Sequence, residues 1–427
     1  MNSITITPKE LNGGVIIPPS KSISHRAIIC ASLARGISEL RNVGDSEDIN
    51  ATIECMSALG TKITRYDDRL IIDGTNTLNV SAPVKLNCRE SGSTLRFLIP
   101  LALLATKKVT FDGSGRLPKR PLDTYLNLFD KYEIEYNKCT LDYLPLTVKS
   151  GDISGKIKVE GNISSQFISG LLFTLPLYSE DSEIILTTPL ESKAYVDLTI
   201  DVMQQFGITI TNQRYKKFKI KGGQQYKPCN YTVEADYSQA AFFLAAGAIG
   251  NFVVCKGLNT ETKQGDKKII DIIKKMGGKV IIDKDKGISA LPSNLHGCTI
   301  DVSQIPDLVP AIAVLAINAT GETVIKGASR LRLKESDRLT TVAQQLNSIG
   351  GTIIEKGDSL IIEGTEKLSG GATNSCNDHR IAMAIAIASS VCEEIVTIDD
   401  YKCTDKSYPQ FWNDYISLGG NIDFWDN

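Results

Sequence analysis

The sequence predicts an α/β protein of two domains, each built from three similar units with a buried helix in every unit. Three observations support this prediction: the length of the chain, a repeat of about 72 residues, and the presence of two kinds of helix. At 427 residues the chain is too long for one compact core, so two domains of roughly 200 residues each are expected.

The first repeated feature is a helix end followed by a glycine and a strand. It occurs in SALGTKITR, QQFGITITN, KKMGGKVII, NSIGGTIIE and SLGGNIDFW. Their glycines stand where a helix usually ends on a left-handed residue, and they are Gly60, Gly207, Gly277, Gly350 and Gly419. The first two lie two periods apart, and NLFDKYEIEY at 127–136 fills the gap without a glycine.

The second repeated feature is a polar start followed by an apolar helix. The markers Ser20, Gly92, Ser164, Asp236, Asp307 and Asn377 follow one another at steps of 72, 72, 72, 71 and 70 residues. Helices such as AMAIAIAS are apolar nearly all round and are therefore expected to be buried, whereas the glycine-capped helices are amphipathic. The pattern predicts six α/β units, three per domain, with the midpoint near residue 230.

Predicted strands fill the rest of each unit. Their sequences alternate or run apolar, as in RLIIDG (69–74), GKIKVEG (155–161), KFKIKGG (217–223) and SLIIEG (359–364).

The charge balance argues against a nucleic-acid partner. The chain has 47 Lys+Arg against 49 Asp+Glu, a formal net charge of −2, whereas a general nucleic-acid binder needs a basic face. A local basic cluster remains compatible with this balance, and it would suit a small anion better than a polymer.

The cysteines and histidines indicate neither a disulfide framework nor a metal centre. The ten cysteines are scattered without a CxxC pair, and the three histidines, His25, His296 and His379, have no ligand spacing. Buried free thiols in a reducing cytosol, and hence a cytoplasmic protein, are expected. The first residues, MNSITITPKEL, lack the pattern of a signal peptide, and no apolar run approaches a membrane span.

The starts of the apolar helices are rich in serine. The hydroxyls come from Ser20, Ser22, Ser91, Ser93, Ser164, Ser165 and Ser238. One interpretation is simple N-capping, in which Ser and Asp are preferred. The other is anion binding, because the first N–H groups and the helix dipole attract negative charge.

Basic residues in the same segments favour anion binding. They are Lys21, Arg26, Arg96, Arg120, Lys193, Lys334, Arg338, Arg380 and Lys406. Lys21 lies between two serines and Arg380 opens a buried helix, which are costly places for a charge without a partner. Arginine suits carboxylate and phosphate because its donors form a planar fork.

Other common chemistries lack their signatures. The sequence has no GxSxG elbow, no GxGxxG fingerprint and no GxxxxGK[ST] loop. Catalysis by Lys, Arg, Asp and Glu on anionic substrates, without a cofactor, is therefore expected. In the charged stretch RLRLKESDRL (330–339), we predict a strand with Arg330, Arg332 and Lys334 on one face, and Ser336 as the cap of the next helix.

Eight motifs together resemble the family of 5-enolpyruvylshikimate-3-phosphate synthases, the 3-phosphoshikimate 1-carboxyvinyltransferases. In chain order they are SKSISHRA, SGSTLRF, SSQF, SKAYVD, IPDLVP, KESDRL, NDHRIAMA and KSYPQF. The likeness covers essentially the whole chain, and the combination of SKSxSxR, KExDR and NDHR is specific.

The resemblance implies an inside-out α/β barrel of two domains, each of three βαβαββ units with buried helices. The chain would cross between the domains twice, giving one domain of 1–18 plus 234–427 and another of 19–233. Substrates would bind in a cleft between the domains and draw them together. A monomer is expected, with two small-molecule substrates and neither a membrane nor a nucleic-acid partner.

The resemblance also implies site residues. Shikimate-3-phosphate would bind Lys21, Ser22, Arg26, Ser164, Ser165, Gln166, Ser192, Tyr195, Asp307 and Lys334. Phosphoenolpyruvate would bind Lys21, Gly92, Arg120, Gln166, Arg338, Arg380 and Lys406. The catalytic residues would be Asp307, Glu335 and Lys21, and either of the last two could move the proton at C3 of phosphoenolpyruvate.

Four positions depart from residues that are common in the family: His25, Glu90, Ser93 and Arg330. They bear on the phosphoenolpyruvate pocket and on sensitivity to glyphosate. The motifs leave two alternative functions. Transfer to UDP-N-acetylglucosamine is disfavoured because the loop GSGRLPKRPLD has no cysteine. A non-catalytic anion-binding repeat protein would tolerate the loss of Asp307 and Glu335.

Overall fold

The computed structural model describes residues 2–425 and contains two compact units. Unit 1 comprises Met1–Pro18 and Ala235–Asn427, and unit 2 comprises Pro19–Glu234. Glu234 ends unit 2, where its carbonyl accepts a hydrogen bond from the N–H of Ser20 at 2.8 Å.

The described residues contain twelve α-helices, in which six buried helices alternate with six amphipathic ones. They are α1 (Lys21–Leu33), α2 (Glu47–Ala58), α3 (Gly92–Ala102), α4 (Asp123–Lys131), α5 (Ser165–Thr174), α6 (Lys193–Gln205), α7 (Tyr237–Ile249), α8 (Ile269–Lys275), α9 (Val309–Ile317), α10 (Arg338–Asn347), α11 (His379–Ser389) and α12 (Phe411–Ser417).

Short strands make up the sheets. They are β1 (Ser3–Thr7), β2 (Asn12–Ile16), β3 (Ile37–Arg41), β4 (Lys62–Tyr66), β5 (Arg69–Asp73), β6 (Val84–Asn87), β7 (Val109–Asp112), β8 (Tyr136–Lys138), β9 (Leu146–Val148), β10 (Gly155–Val159), β11 (Ser182–Leu186), β12 (Ile210–Gln213), β13 (Lys217–Ile220), β14 (Asn230–Thr232), β15 (Phe252–Lys256), β16 (Lys279–Asp283), β17 (Gly287–Leu291), β18 (Thr299–Asp301), β19 (Glu322–Lys326), β20 (Thr352–Lys356), β21 (Ser359–Glu363), β22 (Gly371–Asn374), β23 (Val396–Asp399) and β24 (Asn421–Trp425).

These strands form six four-stranded sheets, three in each unit. In the module β6-α3-β7-α4-β8-β9, for example, β6 and β7 are parallel, and the hairpin of β8 and β9 adds antiparallel strands in the order β6-β7-β9-β8. The other five sheets repeat this order. The predicted six units with three per domain, and the βαβαββ pattern within them, are therefore confirmed.

Two modules exchange their first strands, and a third is completed by the N-terminus. β2 precedes α1 in the chain but pairs with β15 of unit 1, whereas β14 precedes α7 but pairs with β3 of unit 2. β1 lies between β23 and β24 and so takes the place of the fourth strand in the last module. The N-terminal strands thus join the C-terminal half, and the chain passes between the units twice.

The helices α1, α3 and α5 form the core of unit 2, and α7, α9 and α11 form that of unit 1. Every residue of α9 and α11 is buried. Alanine and glycine allow the close approach that this packing needs, because a Cβ at Gly170 would lie 2.4 Å from the carbonyl oxygen of Arg96 in the neighbouring α3.

The glycines after the amphipathic helices adopt the predicted left-handed conformation, with φ between 83° at Gly207 and 101° at Gly60. The segment that lacks the glycine uses Glu133 instead, at φ 55°. The repeat is therefore preserved in the backbone even where the sequence signal is lost.

Replacing Glu133 with glycine is expected to stabilise unit 2 by about 0.5–1 kcal/mol. A left-handed conformation costs an L-residue about 1–2 kcal/mol, and the extra unfolded-state entropy of glycine offsets only part of that gain. Urea denaturation measures the change. Asn127→Gly is the matched control, because this exposed position lies inside α4 and should instead lose about 0.5–1 kcal/mol. Equal effects at both positions would refute this explanation.

The cysteines agree only in part with the prediction of buried free thiols. All ten are free, and six of them are buried. Cys139, Cys229 and Cys298 are half-buried and Cys376 is exposed, because they lie in or beside loops rather than in the helices that form the two cores.

Candidate active site

In unit 2 the buried helices are partly exposed only at their first turns. The half-buried residues of α1 are Lys21 and Ser22, that of α3 is Ser93 and that of α5 is Gln166. All the other residues of these helices are buried. Each helix therefore presents polar groups at its N-terminal end, where backbone N–H groups favour anions.

The choice between capping and anion binding differs from one residue to the next. Ser91 and Ser164 are caps, because their hydroxyls accept hydrogen bonds from the N–H groups of Thr94 and Gln166. Ser20 is the N-cap of α1 by its backbone only, without a capping hydrogen bond from its side chain. Ser22 and Ser165 lie inside their helices, so neither is a cap.

Lys21 is held at the start of α1 by a residue of α2. Its Nζ lies 2.7 Å from Oδ2 of Asp48, and both side chains are mostly buried. Asp48 was not among the predicted site residues. The position of Lys21 at the start of a buried helix already indicated that it needs a nearby carboxylate. The sequence did not indicate which one, because Asp48 lies 27 residues further along the chain.

Arg26 forms hydrogen bonds with two other residues that are predicted to bind shikimate-3-phosphate. Its guanidinium donates to the carbonyls of Ser22 (2.5 Å) and Tyr195 (3.0 Å), and its Nε donates to Oγ1 of Thr199 at 2.8 Å. Burial lowers the pKa of Arg26 to about 10, so the side chain remains a cation at neutral pH. Ser192, the N-cap of α6, adopts a left-handed conformation three residues before Tyr195.

The amide of Gln166 is oriented by two neighbours. Its Oε1 accepts from Arg96 at 2.8 Å, and its Nε2 donates to Oγ of Ser93 at 2.9 Å. The guanidinium of Arg96 also packs over the ring of Phe167, at 5.0 Å from its centre. Arg96 is a basic residue that the sequence pointed to, but its role towards Gln166 is visible only in the structure.

Arg120 lies against the first residue of α3. A Cβ at Gly92 would be 2.7 Å from one terminal nitrogen of Arg120 and 2.9 Å from its central carbon. Arg120 is buried. Glycine at this position therefore allows a guanidinium to approach the backbone at the start of the helix, which places a cation beside the N–H groups of the first turn.

In unit 1 three cations surround Asp307. Its Oδ1 lies 3.0 Å from Lys334 Nζ and 3.0 Å from a terminal nitrogen of Arg338. Arg380 donates to the carbonyl of Asp307 at 3.1 Å and lies 3.7 Å from its Oδ2. Asp307 is not the N-cap of α9, which is Leu308.

These contacts set the charge states in the cluster. Burial alone would raise the pKa of Asp307, but the charges of Lys334, Arg380 and Arg338 outweigh burial and hold the pKa well below its usual range. Burial lowers the pKa of Lys334, an effect that Asp307 opposes and Arg338 reinforces. The site thus combines a carboxylate that stays ionised with a lysine that releases its proton more readily.

Arg338 is the centre of the unit 1 cluster. Besides Asp307, it binds Glu335 at 2.7 Å and Asp378 at 2.9 and 3.1 Å. Asp378 is fully buried, accepts from Oγ of Ser336 at 3.0 Å and caps α11. Although Asp378 lies within the NDHR motif, it was not among the predicted site residues.

Replacing Asp378 with asparagine is expected to destabilise unit 1 by about 3–5 kcal/mol, because the Arg338 guanidinium would lose its most buried carboxylate. The decrease is measured by urea denaturation. Asp337→Asn is the matched control: Asp337 caps α10 at a half-buried position, where asparagine also caps well, so a loss below about 1 kcal/mol is expected. Similar losses in the two variants would contradict the assignment.

Lys406 is also held by the NDHR segment. Its Nζ donates to the carbonyl of Asn377 at 2.8 Å and to its Oδ1 at 2.6 Å. Asn377 has a left-handed backbone, and Lys406 is buried at the end of the 3-10 helix Tyr401–Lys406. The structure therefore brings five predicted residues of unit 1 together, namely Asp307, Lys334, Glu335, Arg338 and Arg380. Lys406 contacts Asn377, which belongs to the segment that carries Arg380.

The stretch 330–338 differs from its predicted structure. Ser329–Leu333 is a 3-10 helix rather than a strand, and the cap of α10 is Asp337 rather than Ser336. The charged side chains consequently do not share a face. Arg330 donates to the carbonyl of Ser303, and Arg332 binds Glu355. These two arginines anchor the turn that presents Lys334 and Glu335, and Arg338 opens the next helix as predicted.

Within residues 2–425, no helix is long and apolar enough to cross a membrane. The same residues contain no group of three or more His, Cys, Asp or Glu side chains that could hold a metal ion.

The fold is similar to that of a solved enzyme. A structure described as EPSP synthase from Acinetobacter baumannii matches with a TM-score of 0.81 and 25% sequence identity, and the match covers 100% of both chains. Together with cation clusters around a carboxylate and at helix starts, this similarity defines the class of the protein as an α/β protein with the EPSP synthase fold and a site suited to anions.

The sequence comparisons identify the family. The model of EPSP synthase (3-phosphoshikimate 1-carboxyvinyltransferase) matches residues 6–415. Relatives named 3-phosphoshikimate 1-carboxyvinyltransferase from Clostridium perfringens and Clostridium kluyveri are each 50% identical, over 420 and 425 residues. The matches cover 98% and 100% of this chain and 99% of each relative. The chain belongs to the EPSP synthase family.

Proposed function

We propose that this enzyme transfers the carboxyvinyl group of phosphoenolpyruvate to the 5-hydroxyl of shikimate-3-phosphate and releases phosphate, as a step of aromatic amino-acid biosynthesis. The surroundings of Asp307 are the observation that supports this proposal most directly. It is a carboxylate held beside Lys334, Arg338 and Arg380, in a cluster that also contains Glu335. Cations suit two anionic substrates, and carboxylates suit the proton transfers of this reaction.

The proposal for shikimate-3-phosphate keeps the residues that the family resemblance implies. The residues proposed to bind it are Lys21, Ser22, Arg26, Ser164, Ser165, Gln166, Ser192, Tyr195, Asp307 and Lys334. The contacts of Arg26 with Ser22 and Tyr195 support this set, because one buried cation orders residues from α1 and α6.

Phosphoenolpyruvate is assigned to the larger group of cations. The residues proposed to bind it are Lys21, Gly92, Arg120, Gln166, Arg338, Arg380 and Lys406. The approach of Arg120 to Gly92 supports the assignment, since backbone N–H groups and a guanidinium together suit a phosphate or a carboxylate.

The chemistry proceeds by addition and elimination. The 5-hydroxyl oxygen forms a bond to C2 of phosphoenolpyruvate while C3 gains a proton, which gives a tetrahedral adduct. The C2–O bond to phosphate then breaks and C3 loses a proton, so the double bond is restored. One residue must accept the hydroxyl proton, and another must deliver and recover the proton at C3.

Asp307 is proposed to accept the hydroxyl proton. In the free enzyme its pKa is well below the usual range, which makes it a weak base. Anionic substrates bound to Lys334, Arg338 and Arg380 would offset these positive charges and raise the pKa of Asp307. Its basicity would thus increase when substrates are present. Glu335 or Lys21 is proposed to carry the proton at C3.

A phosphate-release assay tests the proposed function. With phosphoenolpyruvate and shikimate-3-phosphate, turnover is expected, and UDP-N-acetylglucosamine in place of shikimate-3-phosphate should give none. Release only with UDP-N-acetylglucosamine would identify the other transferase. Binding of both substrates without any release would favour the non-catalytic alternative.

Replacing Arg120 or Arg380 with lysine is expected to weaken phosphoenolpyruvate binding by about 1–3 kcal/mol, because an ammonium cannot reproduce paired donors. The KM for phosphoenolpyruvate measures the loss. Arg332→Lys is the control, since Arg332 is a partly exposed arginine whose partners are Asp337, Thr340, Glu355 and the carbonyl of Gly357. A wild-type KM in both test variants would remove these residues from the site.

We also propose that the enzyme is a cytoplasmic monomer that needs no cofactor. Light scattering during gel filtration tests the oligomeric state, and full turnover after dialysis against a chelator tests the independence from metal ions.

A further inference from the structure

A buried chain of hydrogen bonds connects α1 to α3 through α2. Nδ1 of His25 lies 2.7 Å from Oγ1 of Thr52, which in turn lies 2.7 Å from Oγ1 of Thr94. Thr94 donates to Oγ of Ser91 at 2.8 Å. All four residues are at most 1% exposed. The chain therefore starts one turn into α1 and ends on the cap of α3.

The direction of these hydrogen bonds specifies one form of the histidine. Because Thr94 donates its hydroxyl proton to Ser91, its oxygen accepts from Thr52, and the oxygen of Thr52 then accepts from His25. The carbonyl of Asp48 is a more distant alternative acceptor, 3.5 Å from both threonine hydroxyls. His25 consequently carries a proton on Nδ1.

The surroundings keep this imidazole neutral. Burial, and after it the positive charges of Lys21 and Arg26, lower the pKa of His25 well below its usual range. The proton on Nδ1 then leaves Nε2 as an acceptor, and within residues 2–425 this nitrogen has no hydrogen-bond partner. Only the Nδ1 side of the ring is used in hydrogen bonding.

The two ends of this chain of hydrogen bonds lie next to proposed substrate contacts. Ser91 directly precedes Gly92, against which Arg120 packs, and Ser93 accepts from Gln166. On the other side, α2 is also joined to α1 by the ion pair of Lys21 and Asp48. Helix α2 therefore fixes the first turns of α1 and α3 relative to each other.

We infer that His25 is a positioning residue for phosphoenolpyruvate. Through its Nδ1–H it acts on Thr52 and Thr94 and holds Lys21 and Gly92 at a fixed position relative to each other. The inference rests on the proposed function, since it concerns the same site. The atom that matters is a donor at the Nδ1 position. Asparagine places its amide nitrogen near that position, so it reproduces the hydrogen bond without the ring.

Steady-state kinetics with four variants test the inference. His25→Leu and Thr52→Val remove the link and are expected to raise the KM for phosphoenolpyruvate by about 3- to 30-fold. The KM for shikimate-3-phosphate should rise less, because its proposed set shares Lys21 but does not include Gly92. His25→Asn and Thr52→Ser keep the donor and the hydroxyl, respectively, and should remain within about twofold of wild type.

The outcome separates positioning from general stability. Melting temperatures that fall in His25→Leu and Thr52→Val while the KM for phosphoenolpyruvate stays at the wild-type value would overturn the inference. So would a His25→Asn variant as impaired as His25→Leu. If His25→Leu does not fold, the comparison of Thr52→Val with Thr52→Ser decides alone, because valine has nearly the shape of threonine.

A spectroscopic measurement needs no turnover. The chain has three histidines, so nitrogen-15 spectra of labelled histidine, with His25→Asn for assignment, report on His25 directly. A neutral ring protonated on Nδ1 is expected near neutral pH. An imidazolium or an Nε2–H form would contradict the proposed direction of the hydrogen bonds from His25 to Ser91. Absence of phosphate release in the wild-type enzyme would refute the proposed function and leave this measurement valid.

Discussion

Replacing Asp307 with asparagine is expected to lower turnover by about 100- to 10,000-fold, with the KM of each substrate changed only a few-fold. Asparagine keeps the size of the side chain and can still accept from Lys334 and Arg338, but it cannot take a proton from the substrate hydroxyl. Loss of the negative charge should leave anion binding equal or tighter, because three cations then have less compensation. Initial rates at saturating substrate measure the effect.

Asp301→Asn is the matched control for Asp307→Asn. It makes the same chemical change on an exposed residue of unit 1, where Asp301 accepts from the N–H of Ser303, and wild-type turnover is expected. An Asp307→Asn variant that is less heat-stable but turns over within a few-fold of wild type would assign Asp307 to the scaffold.

The expected effect of replacing Glu335 with glutamine is similar in size, about 100- to 10,000-fold in turnover, provided that Glu335 carries the proton at C3. Glutamine can keep a contact with Arg338, which Glu335 binds at 2.7 Å, so the fold of the turn should be preserved. The second readout is exchange of the C3 protons of phosphoenolpyruvate with solvent deuterium, which should slow in parallel with turnover.

Glu355→Gln provides the comparison for Glu335→Gln, since Glu355 also pairs with an arginine, Arg332, at 2.5 Å. Turnover within about twofold of wild type is expected, because glutamine can still accept a hydrogen bond from Arg332 and so keep the turn in place. If Glu335→Gln retained both turnover and deuterium exchange, the ion pair with Arg338 would be its whole role and Lys21 would remain the candidate for the C3 proton.

Local sequence patterns were sufficient for the repeat and for the helix types. A helix apolar on all sides must be buried, and a glycine after an amphipathic helix fits a left-handed end; both rules depend on neighbouring residues only. Gly60 and Gly350 illustrate the second rule. The rule also had a limit, because the same backbone conformation occurs at Glu133, where no glycine marks it.

The stretch 330–338 shows where local patterns failed. Alternating charged and apolar residues suit a strand face, but Ser329–Leu333 is a 3-10 helix. Its arginines bind groups from elsewhere in the chain, such as the carbonyl of Ser303 and the carboxylate of Glu355. Those contacts override a weak local preference, and they are not visible in the ten residues themselves.

The sequence by itself determined the class of fold, the six modules, the family and the segments that supply lysines and arginines to the site. Only the tertiary structure decided which strand completes which sheet, as with β2 and β15, and which carboxylate holds which cation. The ion pair of Arg338 and Asp378 joins residues 40 positions apart, and the link from His25 through Thr52 to Thr94 spans three helices. The physical reason is the separation of the interacting residues along the chain. The periodicity of a helix or strand depends on residues that are close in sequence, whereas these partners meet only after the buried helices have packed.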